Sequence, residues 1–288
     1  MNKISVVLAT YNEEKNLEEC LKSIKDLASE IVIADGKSTD RTVEIAKKFK
    51  AIIISTSNKS NFHINKQMAI DRATGDFILL LDADERVSDK LREEILKISQ
   101  MSKEEIKEYE NKLPNKKLFD RHIKVLEDGL GKIGDENKNY SAFFIPRRNF
   151  FLGRYLMHGG IYPDGVIRFF KKGGAYLPMK DVHEQMVVVG RVGWLQNDLL
   201  HFDSPTFSRY LKRWDRYTSF IALQLKEKRV KKDIFSFLDY FLIKPINWFL
   251  ITFIRHKGFM DGYQGLIFSF FSSLRFPVSY IKYLNKNV

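Results

Sequence analysis

The sequence predicts an α/β fold: a doubly wound, mostly parallel sheet followed by a helical carboxyl-terminal segment. Two observations carry the sheet. Strand-like and helix-like periods alternate four times in the first eighty or so residues. One apolar run, Phe-Ile-Leu-Leu-Leu at residues 77–81, is too short for a helix and lacks polar alternation, as in a central parallel strand covered by helices on both faces. A third observation sets the segment apart. From Thr206 onward there are fifteen Lys/Arg against five Asp/Glu, a net of +10 out of +12 for the chain, and 20 of the 38 aromatic residues.

The elements follow in order. Residues 4–9 read as the first strand, and Thr10-Tyr11-Asn12-Glu13-Glu14 as a polar turn opening a helix with Leu17, Cys20, Leu21 and Ile24 at helical spacing. Residues 30–34 form the second strand, residues 35–40 a loop ending in a cap, and Val43, Ile45, Ala46 and Phe49 the inner side of the next helix. Residues 51–55 are the third strand, 61–73 the third helix and 77–81 the fourth strand, joined by right-handed crossovers. A helix over 88–98 can be capped by Ser88-Asp89. Residues 101–139, dense in charge around Pro114, read as an exposed, partly helical excursion without legible chemistry. Short strands are expected at 143–148, 166–170, 175–177 and 185–189. The expected division is a catalytic domain over 1–205 and a basic, aromatic segment over 206–288.

Composition narrows the setting. Cys20 is the only cysteine, which excludes an intrachain disulfide and zinc-finger spacing and makes a reducing compartment the default. Residues 4–9 are too short for a signal peptide and run into charge, so a cytoplasmic protein, or one on a cytoplasmic face, is expected. Between residues 234 and 283, Asp239, Lys244, Arg255 and Lys257 interrupt the apolar stretches, so none is expected to reach the ~20 residues that span a bilayer. Aromatic helices flanked by Lys and Arg instead suit the headgroup region of an anionic membrane, the alternative being packing on the catalytic domain or on a second subunit. Nucleic acid is disfavoured, since no recognised binding motif is present and the segment is more apolar than a phosphate-tracking surface needs. The oligomeric state is open.

The 77–81 strand runs straight into Asp82, Asp84 and Glu85, at the carboxyl edge where open α/β sheets bind ligands. In extended chain Asp82 and Asp84 fall on the same side, with small Ala83 between them. Two such carboxylates make a hard oxygen site suited to Mg²⁺ or Mn²⁺ bridging to a diphosphate. The alternative is a solvated loop or helix start.

With VVLATYNEE, IADGKSTDRT and NKQMAIDRATGDFILLLDADER in that order, the first half resembles family 2 inverting glycosyltransferases of the GT-A fold. VIRFFKK, DVHEQM and LLHFDSPTFSRYLKRWDRYTSF are similar to the bacterial branch that includes lipopolysaccharide-core glucosyltransferases. The resemblance covers about residues 1–220. It implies a nucleotide-sugar donor against Thr10, Tyr11 and Glu13, with Asp35 near the base, Lys66 and Asp71-Arg72 on a helix bordering the nucleotide, Asp82 at the ribose and metal, and Asp84 on the metal. It also implies that Glu184 is the base for the acceptor hydroxyl, with Asp181 as second choice and His183 orienting its neighbour. Arg168 is expected to reach a phosphate or hold Glu184, and His201 to be a third metal ligand or a diphosphate contact.

Each assignment has a plainer alternative. Asp35 and Asp40 can stabilise turn and cap, Asp71-Arg72 can be a surface pair, Arg168 can pair a surface acid, and His201 can be structural. Arg209, Lys212, Arg213 and Arg216 form a basic stripe that meets a diphosphate, lipid headgroups or only solvent. The implied activity is metal-dependent transfer of a sugar, from a UDP-sugar first of all, to a lipid-linked or lipopolysaccharide-core acceptor on the inner face of the plasma membrane. The competing readings are a sugar nucleotidyltransferase, which would open on a glycine-rich loop that VVLATYNEE lacks, and a non-catalytic membrane adaptor on a transferase fold. A glycosidase also uses paired carboxylates but has no need of a diphosphate-metal site.

Overall fold

A computed structural model describes residues 2–59, 61–178 and 186–285. The chain divides into two compact units, Met1–Arg147 with Pro163–His201, and Arg148–Tyr162 with Phe202–Val288. The second unit thus combines a segment from the middle of the chain with the carboxyl-terminal residues.

The first unit is built on a seven-stranded sheet in the order Arg191–Trp194, Tyr140–Ile145, Val166–Lys171, Phe77–Leu81, Ile4–Thr10, Glu30–Asp35, Ile52–Ser55. Only Val166–Lys171 runs against its neighbours, so the sheet is mostly parallel, as the alternating pattern predicts. The Phe77–Leu81 strand is central and buried throughout. Its side chains alternate between two cores: Phe77, Leu79 and Leu81 join Val6 and Leu8 on one face, while Ile78 and Leu80 join Val7 and Val32 on the other. Burying each such side chain contributes about 1.5–3 kcal/mol, which is why an unbroken apolar run belongs here. Gly75 fixes the strand's entry, because a Cβ there would lie 2.6 Å from Ser5 Oγ and 2.8 Å from its backbone nitrogen.

Register sets the functional edge. Leu81 lies opposite Leu8, and Thr10 opposite Asp35. The first two strands therefore finish level, two residues beyond the end of Phe77–Leu81, with the first strand at the point where the chain switches direction across the sheet.

Several expectations are corrected. The expected strand over 143–148 is two, Tyr140–Ile145 and Arg147–Phe151, split at Pro146, which has no N–H for a ladder. The 101–139 excursion is not merely exposed. Its helices Lys103–Asn111 and Lys116–Leu130 bury Ile106 and Phe119, and Phe119 stacks on Trp194 at 4.3 Å. Buried Glu110 accepts hydrogen bonds from the Tyr140 hydroxyl (2.6 Å) and the backbone N–H of Trp194 (3.0 Å). The pattern hid this because the few inward side chains are spread among many charged ones. Of the expected 185–189 strand, only Val187–Val188 is formed among the described residues.

In the second unit, a hairpin tail and two helices share a small core of Phe151, Leu156 and Tyr210, joined by Trp214, Phe268 and Phe271. The helices are Phe207–Glu227, capped by Thr206, and Gly262–Leu284. The Trp214 ring N–H donates to Phe271 O at 2.8 Å. Buried Asp261 accepts from the backbone N–H groups of Met157 (3.0 Å) and His158 (2.8 Å) and contacts His158 Nδ1 at 2.9 Å.

The expectation of only short apolar stretches is also corrected. Ile234–Arg255 is one 22-residue helical run, long and apolar enough to cross a membrane by length and composition alone. Asp239 and Lys244 do not break it because they pair with each other at 2.6 Å, while the Lys244 ammonium also sits 3.6 Å from the centre of the Tyr240 ring. Pro245 is accommodated just after a wide π-helical turn, Asp239–Ile243, which relaxes the hydrogen-bond ladder. One face packs on Gly262–Leu284 through Tyr240 on Tyr280 (4.8 Å) and a Trp248 Nε1–H bond to Ser272 Oγ (2.7 Å). The other face exposes Phe235, Leu242, Ile243, Ile246, Leu250 and Ile254.

Candidate active site

The Phe77–Leu81 strand ends in a turn, not in the extended chain its sequence suggests. The Glu85 N–H donates to Asp82 O, and the Asp82 N–H to Glu85 Oε2, both at 2.9 Å. Glu85 then opens a short strand, Glu85–Val87, which pairs antiparallel with Leu199–His201 and sets Glu85 opposite His201. Asp82 and Asp84 therefore face different neighbours rather than one shared ion.

Asp82 lies among cations. Its Oδ1 is 2.5 Å from Lys66 Nζ, and its Oδ2 accepts a hydrogen bond from Arg168 Nη2. The same Arg168 nitrogen reaches Oε1 of fully buried Glu85 at 3.1 Å. Arg147 closes the group, with Nη1 3.2 Å from Glu85 Oε1 and Nη2 2.7 Å from Asp164 Oδ2. Three cations thus meet three carboxylates, and the electrostatics follow. Burial alone would raise the pKa of Asp82, but Arg168 and Lys66 hold its carboxyl well below the usual carboxylate range. Burial outweighs Asp82 at Lys66 and pulls that ammonium below its ordinary value. At Arg168 burial is overcome by Asp82 and Glu85, which keep the guanidinium charged.

On the other side of the turn, Asp84 Oδ1 lies 3.6 Å from His201 Nε2, both side chains being largely buried. A carboxylate oxygen and an imidazole nitrogen this close suit a divalent cation that draws its remaining ligands from phosphate and water. The expected trio of Asp82, Asp84 and His201 is not assembled, because Asp82 is engaged by Lys66 and Arg168. Among the described residues no group of three or more His, Cys, Asp or Glu is arranged to hold a metal ion.

The first two strands contribute a rigid rim. Asp35 Oδ1 accepts from the hydroxyls of Thr10 (3.1 Å) and Ser38 (2.6 Å), and its Oδ2 from the Ser38 N–H (2.9 Å). Asp40 accepts from the backbone N–H groups of Glu14 and Thr42, so both aspartates hold turns. Asn12, at φ 54°, bridges the two loops through Ser38 and Thr39, and Tyr11 beside it is exposed. Glu13 is tied in through its N–H to Thr42 Oγ1 (2.7 Å) and its carboxylate to Asn16 (2.8 Å). Asp71 pairs with Gln67 on an exposed helix face.

Arg168 holds Asp82 and Glu85, which corrects the reading of a strand arginine pairing only a surface acid. Lys180, Asp181, Val182, His183 and Glu184 lie outside the described residues. Arg147 and Asp164 are the members of the cluster that sequence reasoning missed. The signal was faint: a basic pair after a strand, whose partners are distant in sequence.

In sequence, the chain is 25% identical over 280 residues to an uncharacterized glycosyltransferase of Rickettsia typhi, covering 96% of this chain and 86% of the relative. It is 30% identical over 174 residues to the SPbeta prophage-derived glycosyltransferase SunS of Bacillus subtilis, covering 56% of this chain and 40% of that one. Several further curated relatives, among them other Rickettsia glycosyltransferases, are matched over 22–33% of their own length. Among solved structures, the mannosyltransferase PcManGT from Pyrobaculum calidifontis, in complex with GDP-Man and Mn²⁺, aligns over 100% of this chain and 88% of its own, at 12% identity and a TM-score of 0.47. The model of the family described as Glycosyl transferase family 2 matches residues 5–101, the part of the chain that holds Thr10, Asp35, Lys66, Asp82 and Asp84.

Proposed function

We propose that this protein is a metal-dependent, inverting glycosyltransferase. It moves a sugar from a nucleotide-sugar, a UDP-sugar first of all, to a lipid-linked or lipopolysaccharide-core acceptor at the cytoplasmic face of the plasma membrane. The observation that carries the reading is the turn after the central strand, where Asp82 is clamped by Lys66 and Arg168 and Asp84 meets His201; Lys66, Asp82 and Asp84 lie inside the family match. Curated relatives named as glycosyltransferases support it.

In this reading Thr10, Tyr11, Glu13 and Asp35 border the nucleotide, and Lys66 and Arg168 keep Asp82 ionised and fixed where the donor sugar and ribose approach. Asp84 and His201 would hold Mg²⁺ or Mn²⁺, which when bound supplies positive charge for the departing diphosphate. Glu184, or failing it Asp181, takes the proton of the acceptor hydroxyl as its oxygen bonds to the anomeric carbon. The bond from that carbon to the diphosphate oxygen breaks on the opposite face, and the diphosphate leaves with the electron pair, which inverts the centre. The exposed apolar face of Ile234–Arg255 and the basic residues around it support attachment to an anionic membrane surface, where such acceptors reside.

Two measurements test this. Thermal denaturation with a panel of nucleotide sugars, with and without Mn²⁺, is expected to show one donor raising the midpoint in a Mn²⁺-dependent way; stabilisation by none would remove the transfer reading. Glu184→Gln is expected to bind that donor normally yet transfer roughly 10²- to 10⁴-fold more slowly, with Asp181→Asn milder. The opposite pattern exchanges their roles, and normal transfer in both variants takes the base out of this loop.

A further inference from the structure

The carboxyl-terminal unit contains a cavity of about 270 Å³ whose lining includes Tyr210, Arg213, Trp214, Phe268, Ser272 and Arg275. Its volume is below the ~300 Å³ at which pockets for drug-sized ligands begin, so it suits a headgroup or a small ester. The two arginines differ. Arg213 pairs through Nη2 with Oδ1 of Asp203, a carboxylate that also lines the cavity, and the pair neutralises itself.

Arg275 is half-buried, and among the described residues no carboxylate pairs with it. Its guanidinium carbon lies 4.2 Å from the centre of the Trp248 ring and 4.9 Å from that of Phe276. Ring faces attract the cation but leave its fork of N–H donors without acceptors. Burial pushes its pKa below the ordinary arginine value, the mark of a charge whose desolvation is not fully offset. A half-buried guanidinium is an expensive way to line an apolar cavity unless an anion visits it. Planar, bidentate donors of this kind match phosphate oxygens in particular.

We propose that this cavity binds a phosphate ester, with Arg275 as the principal donor and the Arg213–Asp203 pair as its polar rim. Two sources share that chemistry: the headgroup of an anionic phospholipid and a soluble phosphate ester. Exposed Tyr217, Leu266 and Phe270 on the same two helices offer apolar surface to a phosphate that arrives on acyl chains. The proposal is independent of the sugar-transfer reading, since it concerns no residue of the donor site and is read by binding alone.

The test uses the full chain, the folded variants Arg275→Gln and Arg275→Lys, and Lys228→Gln as a basic control outside the cavity. Binding to mixed phosphatidylcholine and phosphatidylglycerol vesicles is measured by co-sedimentation, and glycerol 3-phosphate is titrated against tryptophan fluorescence, to which Trp214 reports from the cavity wall. Loss of one charge-assisted, partly buried contact is expected to weaken binding by roughly tenfold in Arg275→Gln, with Arg275→Lys intermediate. That deficit should persist at high salt, where the smaller effect of Lys228→Gln fades. Weakened vesicle binding identifies a lipid source, and a lost glycerol phosphate response with unchanged vesicle binding identifies a soluble ester; either supports the site. Wild-type behaviour of Arg275→Gln with both probes overturns it. So does a wild-type protein that responds to neither, an outcome that needs no variant.

Discussion

The sheet unit pairs its buried cations with carboxylates, whereas the carboxyl-terminal unit exposes a long apolar face and half-buries an arginine that, among the described residues, no carboxylate pairs with. In the first, Lys66, Arg147 and Arg168 are each matched to carboxylates within hydrogen-bond reach at the end of the most buried strand. Such a cluster is rarely the most stable filling of that space, and its place at the carboxyl edge of the sheet makes it a candidate site for chemistry. In the second, Phe235 is 78% exposed and Ile243 64%, on a helix whose opposite face packs normally. An apolar stripe of that length on the surface signals a partner or a membrane. The lesson is that departures from the usual rule, polar outside and apolar inside, fall in different places for different reasons.

The largest effect expected from breaking this contrast is on the buried charges. Arg168→Met should cost about 3–5 kcal/mol in urea denaturation, because it leaves Asp82 and Glu85 short of a cation in a site largely closed to water. A loss below about 1 kcal/mol would mean that the cluster is not coupled. A smaller effect is expected on the exposed face. Phe235→Ser should leave stability within about 0.5 kcal/mol while weakening binding to anionic vesicles. Truncation near Lys232 should release the chain from those vesicles altogether. Strong destabilisation by Phe235→Ser, or a shift from dimer to monomer on truncation, would instead make the stripe an internal or subunit contact.

Much of the sheet was legible because strand periodicity is local. The residues of Phe77–Leu81 announce a doubly covered strand, and Ser88 caps the next helix by accepting from the Leu91 N–H at 3.3 Å. What the sequence concealed depends on chain returning from far away. The Glu85–Val87 strand exists only because Leu199–His201 comes back to pair with it, and that pairing turns Asp82 from Asp84. Glu110 and Phe119 looked like surface in a charged stretch until Tyr140 and Trp194 arrived to meet them. At the site itself, Asp84 and His201 were expected together, but the capture of Asp82 by Lys66 and Arg168 was not visible, and Arg147 had no visible partner.

The most direct test of the central claim is Mn²⁺-dependent nucleotide binding by Asp84→Asn, measured by calorimetry with UDP, or with whichever nucleotide the donor screen identifies. The substitution removes one charge beside His201 with almost no change of shape, so the fold should be kept. Wild-type protein is expected to bind the nucleotide more tightly with Mn²⁺ than after chelation, and Asp84→Asn to lose this difference. A folded Asp84→Asn protein that keeps the full Mn²⁺-dependent gain would contradict that claim.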